Sequence, residues 1–445
     1  MKYITMGVLT AAMSVLSGCA GLHTTPPPDE EIRGKHWGRS ATLKPVPRPT
    51  GELTLGDVVR AIRQGSPALR VAKQNIRIAE ATVKQAGALP NPEFEVEFDE
   101  FGGTGELSGR DALVTTYAFT QEIPLGGKRR QQIRFAQHEL LIARLELAET
   151  TLELETEARR SFLSVHVAQE RLDLARSALE LVKQDYGAVQ KKVDSGDVSP
   201  VERSKAKVEL ASAKVDVLQA ERELFSSREA LAALWGSRKA AFSGVKSGEF
   251  KGPVVPSVAD ARNMLQTSPA ARILAANVVR AELELALGKA EACPDLAVTG
   301  GVSRSRENDE HAYLFGISLP LPLFNRNQGA IKAAAAGIAK AKSERQMGLL
   351  ELDRELAEIH AKLSTMKEEI DFFNKEIVPA AEESYKAVML GFKAGEQEFL
   401  DVLDAQRTLV EMKQTDLVLR AEVQELLIEL HGIVGEQAGN PRTPQ

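Results

Sequence analysis

From Val165 onward the apolar positions of this chain recur at Ala168, Leu172, Ala175, Leu179, Val182, Tyr186, Val189 and Val193, in alternating steps of three and four. Such a heptad seam keeps one stripe of a helix against a partner over many turns and winds the pair into a left-handed supercoil. The helix is predicted to run from about Lys128 to Val193, a span of roughly 100 Å at 1.5 Å per residue. A second seam passes through Leu349, Leu352, Leu356, Ile359, Leu363, Met366, Ile370, Phe373 and Ile377. Pro379, inside this second long helix, is expected to kink it.

Elsewhere the period drops to two. Phe94, Val96 and Phe98 alternate with Glu95, Glu97 and Asp99, which predicts a strand with one apolar and one acidic face. After a Gly-rich connection, Leu113, Thr115, Tyr117, Phe119, Gln121 and Ile123 alternate against Val114, Thr116, Ala118, Thr120 and Glu122. Leu296, Val298 and Val302 mark a third strand, and Tyr313, Phe315, Ile317 and Leu319 a fourth. Each is about ten residues, the length of a tilted strand crossing a bilayer. If their apolar faces meet lipid, Glu95, Glu97 and Asp99 point into a lumen. Four strands cannot close a barrel, and an open sheet edge is not tolerated in lipid, so the chain must oligomerise.

The chain carries one plan twice. Ser66-Pro67-Ala68 returns as Ser268-Pro269-Ala270, and Gly196, Ala206, Leu210 and Gly236 are matched by Gly395, Ala405, Leu409 and Gly435. Each copy reads as short helix, two strands, long helix, turn and medium helix. In the first copy the short helix covers about Ser66 to Leu89, stopped by Pro90 and Pro92, and the medium one about Val198 to Trp235. Stacked end to end, these two nearly match the long helix in length. The division expected is a signal peptide at 1–18, a tether at 19–52 with two Pro-rich runs, a first repeat at 53–252, a second at 253–435, and a tail at 436–445.

Composition adds three points. Lys plus Arg number 56 against 62 Asp plus Glu, a net charge of -6 without a basic block, which argues against a nucleic-acid partner. Aromatics at 5% suit helix seams better than a large mixed core. The start, with Lys2 and the apolar run from Ile4 to Leu16, has the plan of a secretory signal, and Leu16-Ser17-Gly18-Cys19 resembles a bacterial lipobox with Cys19 as the acylated mature N-terminus. Cys293 is then the remaining cysteine, so no intrachain disulfide is expected.

Over nearly its whole mature length the chain resembles the TolC-type outer-membrane efflux channels. The stretches that carry the resemblance are Leu319-Pro320-Leu321-Pro322-Leu323-Phe324-Asn325-Arg326-Asn327-Gln328-Gly329 and Phe399-Leu400-Asp401-Val402-Leu403-Asp404-Ala405-Gln406-Arg407. The first is most similar to the heavy-metal branch, the CzcC-type lipoproteins. The resemblance implies a mainly α fold with a small β part. Long coiled-coil hairpins would form a periplasmic α-barrel, and four strands per chain would contribute to a twelve-stranded outer-membrane β-barrel in a homotrimer. It implies a passive conduit for heavy-metal cations, working with a periplasmic adaptor protein and an inner-membrane RND-type pump, and it implies no cofactor.

Asp401 and Asp404 match the family positions at the narrow periplasmic entrance, where a trimer would turn each into a ring of carboxylates that attracts cations. The same pair also reads as acids at a helix N-terminus, stabilised by the macrodipole. The resemblance gives adaptor docking to the turns Ser195-Gly196-Asp197 and Ala394-Gly395-Glu396. Some members latch the entrance with a Tyr and an Arg; Phe392 and Gln397 stand there in this chain and supply neither group. The seven His residues show no ligand spacing, so no tight metal site is expected. Nucleophile elbow, phosphate loop and metalloenzyme motifs are absent from the sequence, which points away from an enzyme. A periplasmic adaptor or structural coiled-coil lipoprotein is the alternative of a different class, and organic-substrate efflux or type I secretion are alternatives within the channel class.

Overall fold

A computed structural model describes residues 48–246 and 256–435. The expected signal peptide, Cys19 and the tail at 436–445 lie outside the described residues. In chain order the elements are β1 (Gly51–Leu53), α1 (Leu55–Gly65), α2 (Pro67–Ala86), β2 (Glu93–Asp99), β3 (Val114–Ile123), α3 (Lys128–Asp194), α4 (Pro200–Ala233) and β4 (Phe242–Val245). They continue with α5 (Val258–Leu265), α6 (Pro269–Glu291), β5 (Leu296–Ser305), β6 (His311–Ser318), α7 (Gln328–Phe372), α8 (Val378–Ala394) and α9 (Phe399–Val434). The fold is thus mainly helical, built on two repeats.

Helix α3 has 67 residues, close to the span its heptads predict. Its ends have local causes. Gly127, at φ 75°, turns the chain from the sheet into the helix, and Asn327, at φ 56°, does the same at the start of α7. Gly126 answers a second need: a Cβ there would sit 2.5 Å from that of Cys293, so only glycine lets the two connections pass. Beside them Lys128 Nζ meets Asp295 Oδ2 at 2.7 Å, tying the first long helix to the mouth of β5.

Between α7 and α8 lies a π turn, Phe373–Ile377, where the Val378 N–H donates to the Phe373 carbonyl. The physical cause is Pro379, which lacks an N–H and crowds the carbonyl four residues back. The kink expected from Pro379 is therefore taken up one turn earlier, as a widened turn.

Halfway along the long helices the stacked columns meet. A Cβ on Gly236, just past α4, would lie 3.6 Å from the Pro67 ring, so α4 ends against the start of α2. Around this joint the short strands β1 and β4 pair in parallel, an element without the alternation that exposed the longer strands. Leu53, Val58, Ile62, Leu231, Trp235, Phe242 and Val245 are buried there, as are Phe162 and Val165 of α3. The Gln169 side chain accepts from the Val245 N–H at 2.7 Å and donates to its carbonyl at 3.1 Å, clamping β4 to α3. In the second repeat α5 fills the corresponding place: Ala261 and Leu265 join Leu356, Ile359, Leu363 and Met366 of the second seam and Leu426, Leu427 and Leu430 of α9. Burying one such leucine contributes about 1.5–3 kcal/mol.

Candidate functional site

Strands β2-β3-β5-β6, in that order, form one antiparallel sheet. Directly opposed residues share a face, so the register sorts the side chains. Phe94 faces Phe119 and Val96 faces Tyr117; Tyr117 and Phe119 then face Val302 and Gly300, which face Tyr313 and Phe315. The Phe94 and Phe119 rings lie 4.8 Å apart. One continuous apolar face results, with Tyr313 at 89% and Phe315 at 75% exposure. On the other face Glu95, Glu97 and Asp99 are opposed by Ala118, Thr116 and Val114, and these by Gly301, Ser303 and Ser305. Thr120 and Thr299 share a hydrogen bond of 2.8 Å there. This second face is small and polar, with its acids concentrated on β2. Within the chain, β2 and β6 each keep one edge unpaired.

At the far end of the helices, the turns Ser195-Gly196-Asp197 and Ala394-Gly395-Glu396 are exposed and built alike. The Asp197 N–H donates to the Lys192 carbonyl and the Gly196 N–H to that of Val193; Glu396 and Gly395 repeat the pattern on Gly391 and Phe392. This doubled closure needs a left-handed residue, supplied by Gly196 at φ 83° and Gly395 at φ 86°. Beneath the turns, Val189, Ala206, Tyr385, Met389, Phe392, Phe399, Val402 and Leu403 form a common core. Gln397 lies close against Gly391, where a Cβ would come within 2.7 Å of its Cγ. Phe392 packs at 5.8 Å on Phe399 and belongs to the tip core.

Asp401 and Asp404 are both exposed and share the face of α9 opposite Val402, Leu403 and Gln406. Asp401 has a structural duty as well: it accepts from the Glu398 N–H at 3.1 Å, half of a capping box. Asp404 lies near Arg407, whose guanidinium donates to Glu209 Oε2 on α4 at 2.6 Å. The pair thus combines a capping role for Asp401 with an outward acidic face on α9.

The heptad reading missed one pair. Tyr385 on α8 donates its hydroxyl proton to Asp185 Oδ1 on α3 at 2.9 Å, and both residues are buried. The seam analysis favoured Tyr186, which is half-buried, because at this level α3 touches more than one neighbour and its buried stripe widens beyond the heptad positions. A carboxylate beside the seam was the signal available. Among the described residues, no group of three His, Cys, Asp or Glu could hold a metal ion, and no helix is long and apolar enough to cross a membrane.

Comparison with known proteins supplies four relations. The family described as Outer membrane efflux protein matches residues 58–237 and 261–436. The cobalt-zinc-cadmium resistance protein CzcC of Cupriavidus metallidurans is 29% identical over 385 residues, covering 86% of this chain and 90% of that protein. Among solved structures, CusC superposes with a TM-score of 0.73 at 17% identity, over 89% of this chain and 96% of that one. VceC of Vibrio cholerae gives 0.72 at 19% identity, over 86% and 96%.

Proposed function

The chain belongs to the outer membrane efflux protein family, and from that premise we propose that this outer-membrane efflux channel exports heavy-metal cations as a homotrimer joined to a periplasmic adaptor and an inner-membrane RND-type pump. The observation that carries the channel reading is the sheet, apolar over one exposed face and open at both edges. An apolar face suits lipid, and lipid forbids a bare edge. Joining β6 of one copy to β2 of the next removes both edges, and three copies give a twelve-stranded closed wall wide enough for water. Glu95, Glu97 and Asp99 then line the lumen, an acidic surface that favours cations. Cations pass hydrated. The chain does no chemistry, and the pump supplies the energy.

The same closure orders the helices. Strand β2 follows α2, which stacks on α4, whereas β6 leads into α7 and α8, so α2 and α4 of one copy come to lie beside α7 and α8 of the next. Helix α4 carries exposed Val201, Val208, Val215, Leu218 and Phe225, a heptad stripe that nothing among the described residues covers. Its level against α8 is fixed by Arg171–Glu223 and Asp185–Tyr385. Counted along the helices from these contacts, Phe225 falls within about one turn of the level of exposed Phe372, and Val208 within about one turn of that of exposed Ala387. In this reading the exposed tips at Ser195-Gly196-Asp197 and Ala394-Gly395-Glu396 receive the adaptor, and acylated Cys19 anchors each copy in the outer membrane.

The substrate is tested in a metal-sensitive Gram-negative host lacking its own channel but retaining a metal pump and adaptor. Expression of this chain is expected to restore growth in zinc, cobalt or cadmium and to leave organic-drug tolerance unchanged. Rescue against drugs alone would reverse the substrate assignment.

A further inference from the structure

Phe392 and Gln397 lack the phenol and guanidinium that latch the entrance in related channels, so closure in this chain needs another fastening. Among the described residues, three polar contacts cross from the α3–α4 hairpin to the α8–α9 hairpin near the tip. Lys192 donates to the Phe392 carbonyl and sits 4.9 Å from the centre of its ring. Arg407 pairs with Glu209, but its side chain is 62% exposed. Water competes freely for such a contact. The third, Tyr385 to Asp185, is dry: the two residues are 8% and 2% exposed.

We propose that the Tyr385–Asp185 hydrogen bond is the proton-responsive fastening of the periplasmic entrance, tying the hairpin that carries Asp401 and Asp404 to α3 and parting when the entrance widens. The proposal rests on the chain being a channel entered at its helical tip. Three features of the geometry support it. The bond lies two turns above Phe392, between the tip and the π turn at Phe373–Ile377, so α8 has a distinct backbone element from which to swing. It joins the two repeats, which must move relative to each other if the α9 helices are to separate. And it is half-satisfied: Asp185 Oδ2 is buried without a hydrogen-bond partner, so opening to water relieves a penalty that the closed form carries.

The direction of the pH response follows. Burial pushes the Asp185 carboxyl up to about 6, against the smaller opposing effects of the Tyr385 hydroxyl and the Lys393 ammonium. Burial, with Asp185 nearby, pushes the Tyr385 hydroxyl up as well, so it remains a donor throughout. Lys393 on α8 is the charged group that acts on Asp185. Among the described residues of the tip core, α9 contributes Val402, Leu403, Gln406 and Leu409 and α4 contributes Ala206, none of them charged. When the hairpins part, water returns the carboxyl toward its ordinary value of 3.8. The closed form therefore holds the proton more tightly and is favoured as pH falls through about 6. At neutral pH it must keep a carboxylate away from water, and opening is favoured.

The test is conductance of the purified, reconstituted full chain at about pH 5 and about pH 7.5, on either side of the value of about 6 that Asp185 has in the closed form. Wild type is expected to conduct several-fold more at the higher pH. Asp185→Asn keeps an acceptor for Tyr385 without a titrating proton, and should stay at the low level at both. Tyr385→Phe removes the bond and should raise conductance at about pH 5 by about tenfold. A pH profile that survives Asp185→Asn overturns the proposal, as does a Tyr385→Phe channel indistinguishable from wild type at low pH; if Asp185→Asn fails to assemble, the second result decides. Absence of conductance from wild type itself would instead strike the channel reading beneath it, and the fastening with it.

Discussion

At Asp401 charge and scaffold coincide, and a substitution can separate them. Asp401→Asn with Asp404→Asn keeps a side-chain acceptor for the Glu398 N–H but removes both carboxylates from the exposed face of α9. The double variant is expected to keep wild-type stability while losing much of its cation-over-anion permeability and its block by multivalent cations. Unchanged selectivity would leave the pair a capping device alone. Asp401→Ala should in addition lose about 0.5–1.5 kcal/mol, the usual net worth of one hydrogen bond. Gly126 and Gly127 permit a similar separation. Both sit at positive φ, but only at Gly126 does an added Cβ run into Cys293. In thermal unfolding, Gly126→Ala is expected to cost about 1–3 kcal/mol more than Gly127→Ala. Residue roles of this kind were only partly legible in the sequence. Asp401, Asp404, Phe392 and Gln397 were singled out by resemblance alone, whereas the need for Gly126 depends on Cys293, far away in the chain, and no local pattern records that.

Among the elements, legibility followed length and periodicity. The long helices, the four long strands and the helical stacking were readable because a repeated period of 3.5 or 2 accumulates signal over many residues. Strands β1 and β4 were missed because three or four residues cannot display a period, and their pairing joins the two ends of the first repeat. Helix α1 was overlooked ahead of Ser66, although Thr54 and Asp57 form a capping box at its start. Asp185 was passed over because a heptad template assumes one partner, and α3 has several. The π turn gives a prediction at this scale. Pro379→Ala restores the missing N–H and should let the helix from Gln328 to Ala394 close with ordinary spacing, which slower amide exchange at 373–378 would report. Exchange as fast as in the parent would mean that packing, rather than the proline, sets the turn.

For the whole molecule, the proposed assembly completes the wall with copies and not with the chain alone. Among the described residues, most of the large exposed apolar side chains fall into two sets, the outer face of the sheet and stripes along helices at the edges of the chain. Each set faces what a neighbouring copy or the lipid would supply. A Val208→Cys, Ala387→Cys pair on a Cys293→Ser background is expected to cross-link between chains into covalent dimers and trimers. Cross-linking of Val208→Cys to itself would mean a two-fold contact, which cannot build a ring of three. The most direct measurement is the mass and conductance of one purified sample, weighed in detergent and then placed in a planar bilayer. The account predicts a particle of three chains that opens a stable, water-filled, cation-preferring pore; a single chain that leaves the bilayer sealed would contradict it.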